Sequence, residues 1–574
     1  FGAAFSIPLR LARSNGLKFE AMPQRPHKEN AMNKKWRAIY LGVVVPAIVI
    51  GLGVWSPLQQ AIAKGRAKAP AFKVDPFWPK PLPSDSETNP AAATDGYRNP
   101  GPGASKPWVT GEVAGHGIDS KDHVFIVTRA PQGNLVSPET VVAHPSPSVI
   151  EFDRAGNVVN AWPPNVPAPA APWWTAPFDP VGCDGKPACH AATRGVPRGI
   201  HGLYVDYQDN VWVAGNGDGI VQKYSHDGST LLLQLGRHDC CDNPCSTDLV
   251  RNAACTAAGA PGGGTCGNTA ACPAANKSHT LLNQPPNVRV DPNPDPVTGQ
   301  RGSIYVPDGY GNHRVVVFDS SGNYLRHWGG VVANSVNPNA TAHDRGSFAS
   351  GDGGHPHCLV IGKNGYLYVC DRASDRILVY EKNPTSCTVD ANGDRICEPV
   401  RIITVIPGTG VTAGRSDGTY KNILATAGSA WDLDFSIDDD QSFFFEVDGG
   451  NEIVWTYDHA RALNQTATCT TIECGAWPNY ILAGFGRSGH MAGDFVFLHS
   501  IALDSRGNLF TGETINGRRI QKFTPAGNLE DAKTTAFRPS GYPDVTLRHY
   551  DPRAPGSGSG SGDDGDRGHG GDDD

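Results

Sequence analysis

The feature that most restricts this chain is a short pattern that recurs along it. The stretch His499-Ser-Ile-Ala-Leu-Asp504-Ser-Arg-Gly507-Asn508-Leu-Phe-Thr511, followed by Glu513 and Arg519-Ile-Gln-Lys-Phe523, alternates apolar and polar residues on either side of a tight turn. It reads as one antiparallel meander of about 25 residues. Such a unit cannot bury its own faces, so copies of it are expected elsewhere. They occur at His201-Gly-Leu-Tyr-Val-Asp206 through Tyr224, at Asn287-Val-Arg-Val-Asp291 through Phe318, and at His357-Cys-Leu-Val-Ile-Gly362 through Tyr380. Two weaker copies start at Gly117-Ile-Asp119 and at Trp431-Asp-Leu-Asp434, which brings the set to six.

Six small sheets, each with an uncovered apolar face, are best satisfied by radial packing, so the expected fold is all-β: a six-bladed β-propeller over residues 108–530. A content of 39% hydrophobic residues in 574 is ample for one core of that size. The formal net charge of −8, with no basic block in the repeats, argues against a nucleic-acid partner. The expected state is a monomer.

The remaining segments are read from composition. Residues 1–31 lack periodicity, which points to a start at Met32. Lys34, Lys35 and Arg37 then precede an apolar run, 38–55, and Ala61-Ile62-Ala63. That order fits a signal peptide over 32–63, or a membrane anchor through 38–55. The chain is accordingly expected to be exported, either periplasmic or secreted. Residues 64–107 read as a Pro-rich linker, and 531–574 as a Gly/Ser/Asp-rich disordered tail. Fourteen cysteines, many of them in an insertion at 237–282, read as disulfides stapling long loops.

In a propeller the first strand of each blade lines the central channel, so residues at one phase of several blades face the same axis. His201, His357 and His499 share such a phase, each five residues before the residue that opens the turn. Three converging imidazoles match a zinc site with an open fourth position. By strand alternation His116 could also point into the channel.

The signature Asp-x-x-Gly-Asn-apolar-aromatic-Val resembles the NHL repeat. In addition, Gly199-Ile-His201-Gly-Leu203, Asp308-Gly-Tyr310-Gly-Asn-His-Arg314, Pro356-His357 with Asp371-Arg372, and Leu498-His499 resemble motifs of the peptidyl-α-hydroxyglycine α-amidating lyases. The resemblance implies a six-bladed propeller that cleaves a carbinolamide N–C bond to an amide and glyoxylate. It also implies Zn2+ on His201, His357 and His499, Tyr310 as catalytic base, and Arg129 and Arg372 for the substrate carboxylate. Each residue type suits its task. Zinc acidifies a hydroxyl, cations favour a phenolate, and a guanidinium forks onto a carboxylate.

The chain departs from that pattern in two places. The family's structural Ca2+ depends on an Asp directly after the last zinc histidine, where Ser500 stands here, so the Ca2+ is not carried over. The family's cysteine after the catalytic tyrosine is Gly311. The partner implied is a small or peptide-like substrate at the channel mouth. Two rival expectations are an exported propeller that binds a partner without catalysis, and a gluconolactonase-like hydrolase. The second would need carboxylate and amide ligands where the histidines stand.

Overall fold

The computed structural model describes residues 69–83, 107–130, 139, 143–162, 197, 199–217, 219–237, 241–242, 276–332, 346–349, 355–405, 428–464, 480–528 and 549–550. Among the described residues, six antiparallel sheets make up the blades, with three two-stranded sheets beside them, and five of the six take their first four strands in chain order. The first blade is Val113–Ile118, Val124–Thr128, Val149–Phe152 and Val158–Trp162. The second is Ile200–Val205, Val211–Gly215, Ile220–Tyr224 and Leu231–Leu235. The third is Arg289–Asp291, Ser303–Asp308, Arg314–Phe318 and Tyr324–Gly329. The fourth is Pro356–Ile361, Tyr366–Asp371, Arg376–Glu381 and Arg401–Thr404. The fifth is Ala430–Phe435, Phe443–Asp448, Ile453–Asp458 and Ile481–Phe485. The sixth has Leu498–Leu503, Leu509–Glu513 and Arg519–Asn528 as its inner three strands. The all-β six-bladed propeller expected from the repeats is therefore the fold.

Burial explains why the blades close into a ring. Each interface between neighbouring blades holds one apolar cluster. Phe125, Trp162, Ile200 and Val213 join the first blade to the second, and Trp212, Leu235, Ile304 and Val316 join the second to the third. Tyr305, Trp328, Leu359 and Leu378 continue the ring, followed by Cys358, Ile377, Leu433 and Phe444. Trp431, Val447, Ile501 and Leu509 seal the fifth blade to the sixth. Trp78, Val113, Ile126, Phe510 and Ile520 bring the last blade back to the first. A sheet covered on both faces needs near-continuous apolar strands, and Val124–Thr128 and Val211–Gly215 are buried at every position.

The segment expected to be linker does part of this work. Pro70–Asp75 pairs antiparallel with Arg519–Asn528 and supplies the outermost strand of the sixth blade. Its pairing partner lies some 450 residues away in sequence, and a lone strand with no meander of its own carries no repeat signal. Phe72 is buried and packs edge-on to Phe445 at 5.3 Å and against Phe485 at 5.6 Å. Phe72→Ala is accordingly expected to destabilise the folded chain by about 3–5 kcal/mol, the usual cost of emptying a buried aromatic site. Denaturant unfolding measures this, and an unchanged midpoint would mean that the closing strand contributes nothing.

Two disulfides join described cysteines, Cys358 to Cys370 and Cys387 to Cys397. The remaining cysteines other than Cys241 lie outside the described residues, as do the leading segment 1–31, the signal or anchor 32–63 and most of 531–574. Within that last stretch, His549–Tyr550 adds a short strand beside Ile481–Phe485. Among the described residues no helix is long and apolar enough to cross a membrane.

Candidate active site

Antiparallel order dictates which residues meet at the channel mouth. The second strand of a blade returns to the end where the first began, so the residues after it share a face with the start of the inner strand. His201, His357 and His499 sit at the second position of their inner strands. Arg129 follows the second strand of the first blade, Tyr310 that of the third and Arg372 that of the fourth. These six residues thus belong to one end of the propeller.

The three imidazoles converge. Ring centroids lie 4.7 Å apart for His201 and His499, 4.9 Å for His201 and His357, and 5.0 Å for His357 and His499. One ligand nitrogen from each ring lies within 4.8 Å of the other two. His201 Nδ1 pairs with the Pro286 carbonyl at 2.9 Å and His357 Nδ1 with the Trp431 carbonyl at 2.6 Å, which turns Nε2 of both rings toward the centre. His357 Nε2 and His499 Nδ1 are buried with no hydrogen-bond partner. Such orphaned acceptors cost about 1–3 kcal/mol each unless something binds them.

Burial also holds the rings neutral. It is the chief cause that drives His201 and His357 well below the ordinary imidazole range, with the neighbouring histidines adding to it. His499 is lowered to about 3 by burial and by the Arg129 and Arg372 charges. Neutral imidazoles with unused lone pairs are the form a metal needs. The donor set therefore fits a zinc-type ion.

The Tyr310 hydroxyl stands beside this centre, 3.0 Å from His201 Nε2, and accepts a hydrogen bond from Arg372 Nη1 at 3.0 Å. A buried ion pair fixes its loop. Asp308 accepts from Arg314 Nε at 2.9 Å and from the Asn283 backbone N–H at 2.7 Å, while Tyr310 N–H donates to the Gln284 carbonyl at 3.1 Å. The residue after the tyrosine is Gly311, where a Cβ would meet the Asn283 side-chain amide and require it to move. The same device recurs at Asp371 with Arg376, 2.8 Å apart, and holds the turn that carries Arg372. The Cys358–Cys370 disulfide ties the strand of His357 to the strand that leads into Arg372.

Arg129 is positioned rather than loose. Its Nη1 meets Glu112 at 2.6 Å and its Nε donates to the Ile200 carbonyl at 2.8 Å, directly before His201. His116 does line the channel cavity, together with Ser500, Arg289, Asn287 and Asp432. Its Nδ1 lies 2.8 Å from Ser500 Oγ and its Nε2 3.2 Å from the Phe510 carbonyl, and burial lowers it to about 4. Arg289 brings a chain-borne cation into this part of the channel, stacked 4.9 Å from the Tyr204 ring. Burial raises Asp432 to about 7 and Asp434 to about 6, and the Arg289 charge works against both shifts.

Three further residues shape the site, none of them assigned to it from the sequence. Trp431 stands edge-on to His499 at 5.5 Å and lies under the Arg372 guanidinium at 4.3 Å. The His355 ring lies 3.8 Å from that of Tyr310, and its buried Nε2 has no partner. Glu452 accepts the Phe497 and Leu498 backbone N–H groups at 2.6 and 2.8 Å and so anchors the strand that bears His499. His355 lies one residue before the Pro356-His357 motif, and a second histidine so close to the first is the signal that could have pointed to it. The other two are brought in by the fifth blade, whose copy of the pattern is weak.

No family model matches the chain. Among solved structures it is similar to a streptogramin B lyase at 10% identity and TM-score 0.34, covering 72% of this chain and 94% of that one. It is similar to the virginiamycin B lyase of Staphylococcus aureus at 11% identity and TM-score 0.31, covering 72% and 95%. It is also similar to a gluconolactonase from Xanthomonas campestris at 12% identity and TM-score 0.32, covering 80% and 99%. At this distance none of them assigns a role to a residue of the site.

Proposed function

We propose that the chain is a zinc-dependent lyase that cleaves the N–C bond of an α-hydroxyglycine-type carbinolamide, releasing an amide and glyoxylate. The observation that carries this reading is the Tyr310 hydroxyl, half-buried and held 3.0 Å from both His201 Nε2 and Arg372 Nη1 beside three buried histidines. His201, His357 and His499 would hold the ion, and zinc when bound supplies Lewis-acid polarisation of an oxygen donor.

The rest of the work falls to the chain's own residues. Tyr310 takes the proton of the substrate hydroxyl and returns it to the departing amide nitrogen. The C–N bond breaks as the C=O bond of glyoxylate forms, so no oxidant or water is consumed. Arg372 orients the phenol oxygen and offers its charge to the substrate carboxylate, while Glu112 aims Arg129 toward the same mouth. Buried walls of Trp431, His355 and the imidazoles exclude water from the bond being broken. The two disulfides support placing the chain in an oxidising compartment, as an exported protein.

The test is to incubate the zinc-loaded full chain with N-benzoyl-α-hydroxyglycine and assay both products. Benzamide and glyoxylate in equal amounts, absent from an EDTA-treated control, are expected. Zinc-loaded chain that releases no glyoxylate above that control would overturn the reading.

A further inference from the structure

The second and sixth blades share a hydrogen-bonded turn from which the first blade departs at two positions. In the second blade, Asp206 at the end of the inner strand accepts from Asn210, four residues on, and from Trp212 Nε1. Lys223 of the third strand lies 3.5 Å from its Oδ2. The sixth blade repeats the Asp and the Asn as Asp504 and Asn508, with Asn508 Nδ2 at 2.6 Å from Asp504 Oδ2. Its Lys522 aligns with Phe510 as Lys223 aligns with Trp212.

In the first blade the equivalent Asp119 has His123 in place of the Asn. Glu151, aligned with Phe125, stands in place of the Lys. A neutral partner has become an imidazole and a cation has become a second carboxylate. Two buried carboxylates would repel one another across this turn unless positive charge lies between them.

We propose that Asp119, His123 and Glu151 form a second divalent-metal site of the zinc class, built into the first blade and distinct from the three-histidine centre. Their ligand atoms all lie within 4.8 Å of one another. His123 Nδ1 is 2.7 Å from Glu151 Oε1 and 3.9 Å from Asp119 Oδ2. Asp119 Oδ1 is held by the Lys121 and His123 backbone N–H groups at 2.9 and 2.7 Å, which leaves Oδ2 to face the cluster.

His226, from the turn after the third strand of the second blade, places Nε2 2.9 Å from that same Oδ2 and acts as the outer partner that orients it. A metal here would pin the first blade to the second. The carboxylates are nearly inaccessible, whereas the His123 side chain is 24% exposed, so the ion enters from the imidazole side. One nitrogen and two carboxylate oxygens, with water completing the shell, suit zinc better than calcium. The site lies at the far end of the inner strand from the position the catalytic histidines occupy, so its role is to brace the propeller.

The test uses full-length protein stripped with EDTA and titrated calorimetrically with ZnCl2. Wild type is expected to take up two equivalents. H123N/E151K, which installs the residues of the second and sixth blades, is expected to take up one, and His499→Ala the other one. In the His499→Ala background, zinc should still raise Tm by several degrees, and adding H123N/E151K should abolish that rise. If H123N/E151K binds as many equivalents as wild type, or if His499→Ala shows no zinc-dependent rise in Tm, Asp119, His123 and Glu151 are a hydrogen-bonded network and the proposal falls. Loss of the three-histidine equivalent alone would leave this result unchanged, so the two sites fail separately.

Discussion

Tyr310→Phe is expected to leave the fold and the three-histidine metal intact while lowering turnover of an α-hydroxyglycine substrate by about two to four orders of magnitude, the range for removing a general base. The substitution deletes one oxygen. Packing of the ring against His355, centroids 3.8 Å apart, survives, and the loop stays anchored by the Asp308–Arg314 pair. What disappears is the acceptor that Arg372 Nη1 approaches at 3.0 Å and the contact to His201. The effect should fall on kcat with little change in KM, because on the proposed mechanism the hydroxyl acts on the proton in flight rather than on substrate affinity. Steady-state glyoxylate assays on zinc-matched samples measure both. A Tyr310→Phe enzyme within threefold of wild type would remove this residue from the chemistry.

The second large effect concerns the metal. His357→Ala or His499→Ala is expected to lose one zinc equivalent relative to wild type and all turnover with it, since two remaining imidazoles hold an ion poorly. Both side chains point an unpaired buried nitrogen at the centre, so truncation also removes an orphaned acceptor. Truncation of His357 also frees the Trp431 carbonyl, so each metal-free mutant is compared with metal-free wild type. Metal analysis by mass spectrometry alongside thermal unfolding separates the two outcomes. A variant that keeps its full zinc content would take that histidine out of the ligand set. A variant that fails to fold would show that the ring acts chiefly through packing.

The sequence by itself determined the propeller, because strand alternation at period two, recurring in six copies of which two are weak, is a local fact that survives without coordinates. It also determined the phase of His201, His357 and His499. The three inner strands that bear them are each six residues long and start at one face, so equal distance from the turn means equal depth in the channel. Tyr310, Arg129 and Arg372 were implied by the resemblance of the motifs around them, and each comes just after the second strand of its blade. Tertiary structure alone decided the rest. Pro70–Asp75 completes the sixth blade through a pairing about 450 residues distant, which no local pattern encodes. Trp431, Glu452 and the Cys358–Cys370 bridge shape the site through contacts between strands whose register only the folded sheet sets. The hydrogen bonds that aim the imidazoles come from the carbonyls of Pro286 and Trp431. Every residue has a carbonyl, so composition says nothing of which one will face a histidine, and that choice is fixed only when six blades close into a ring.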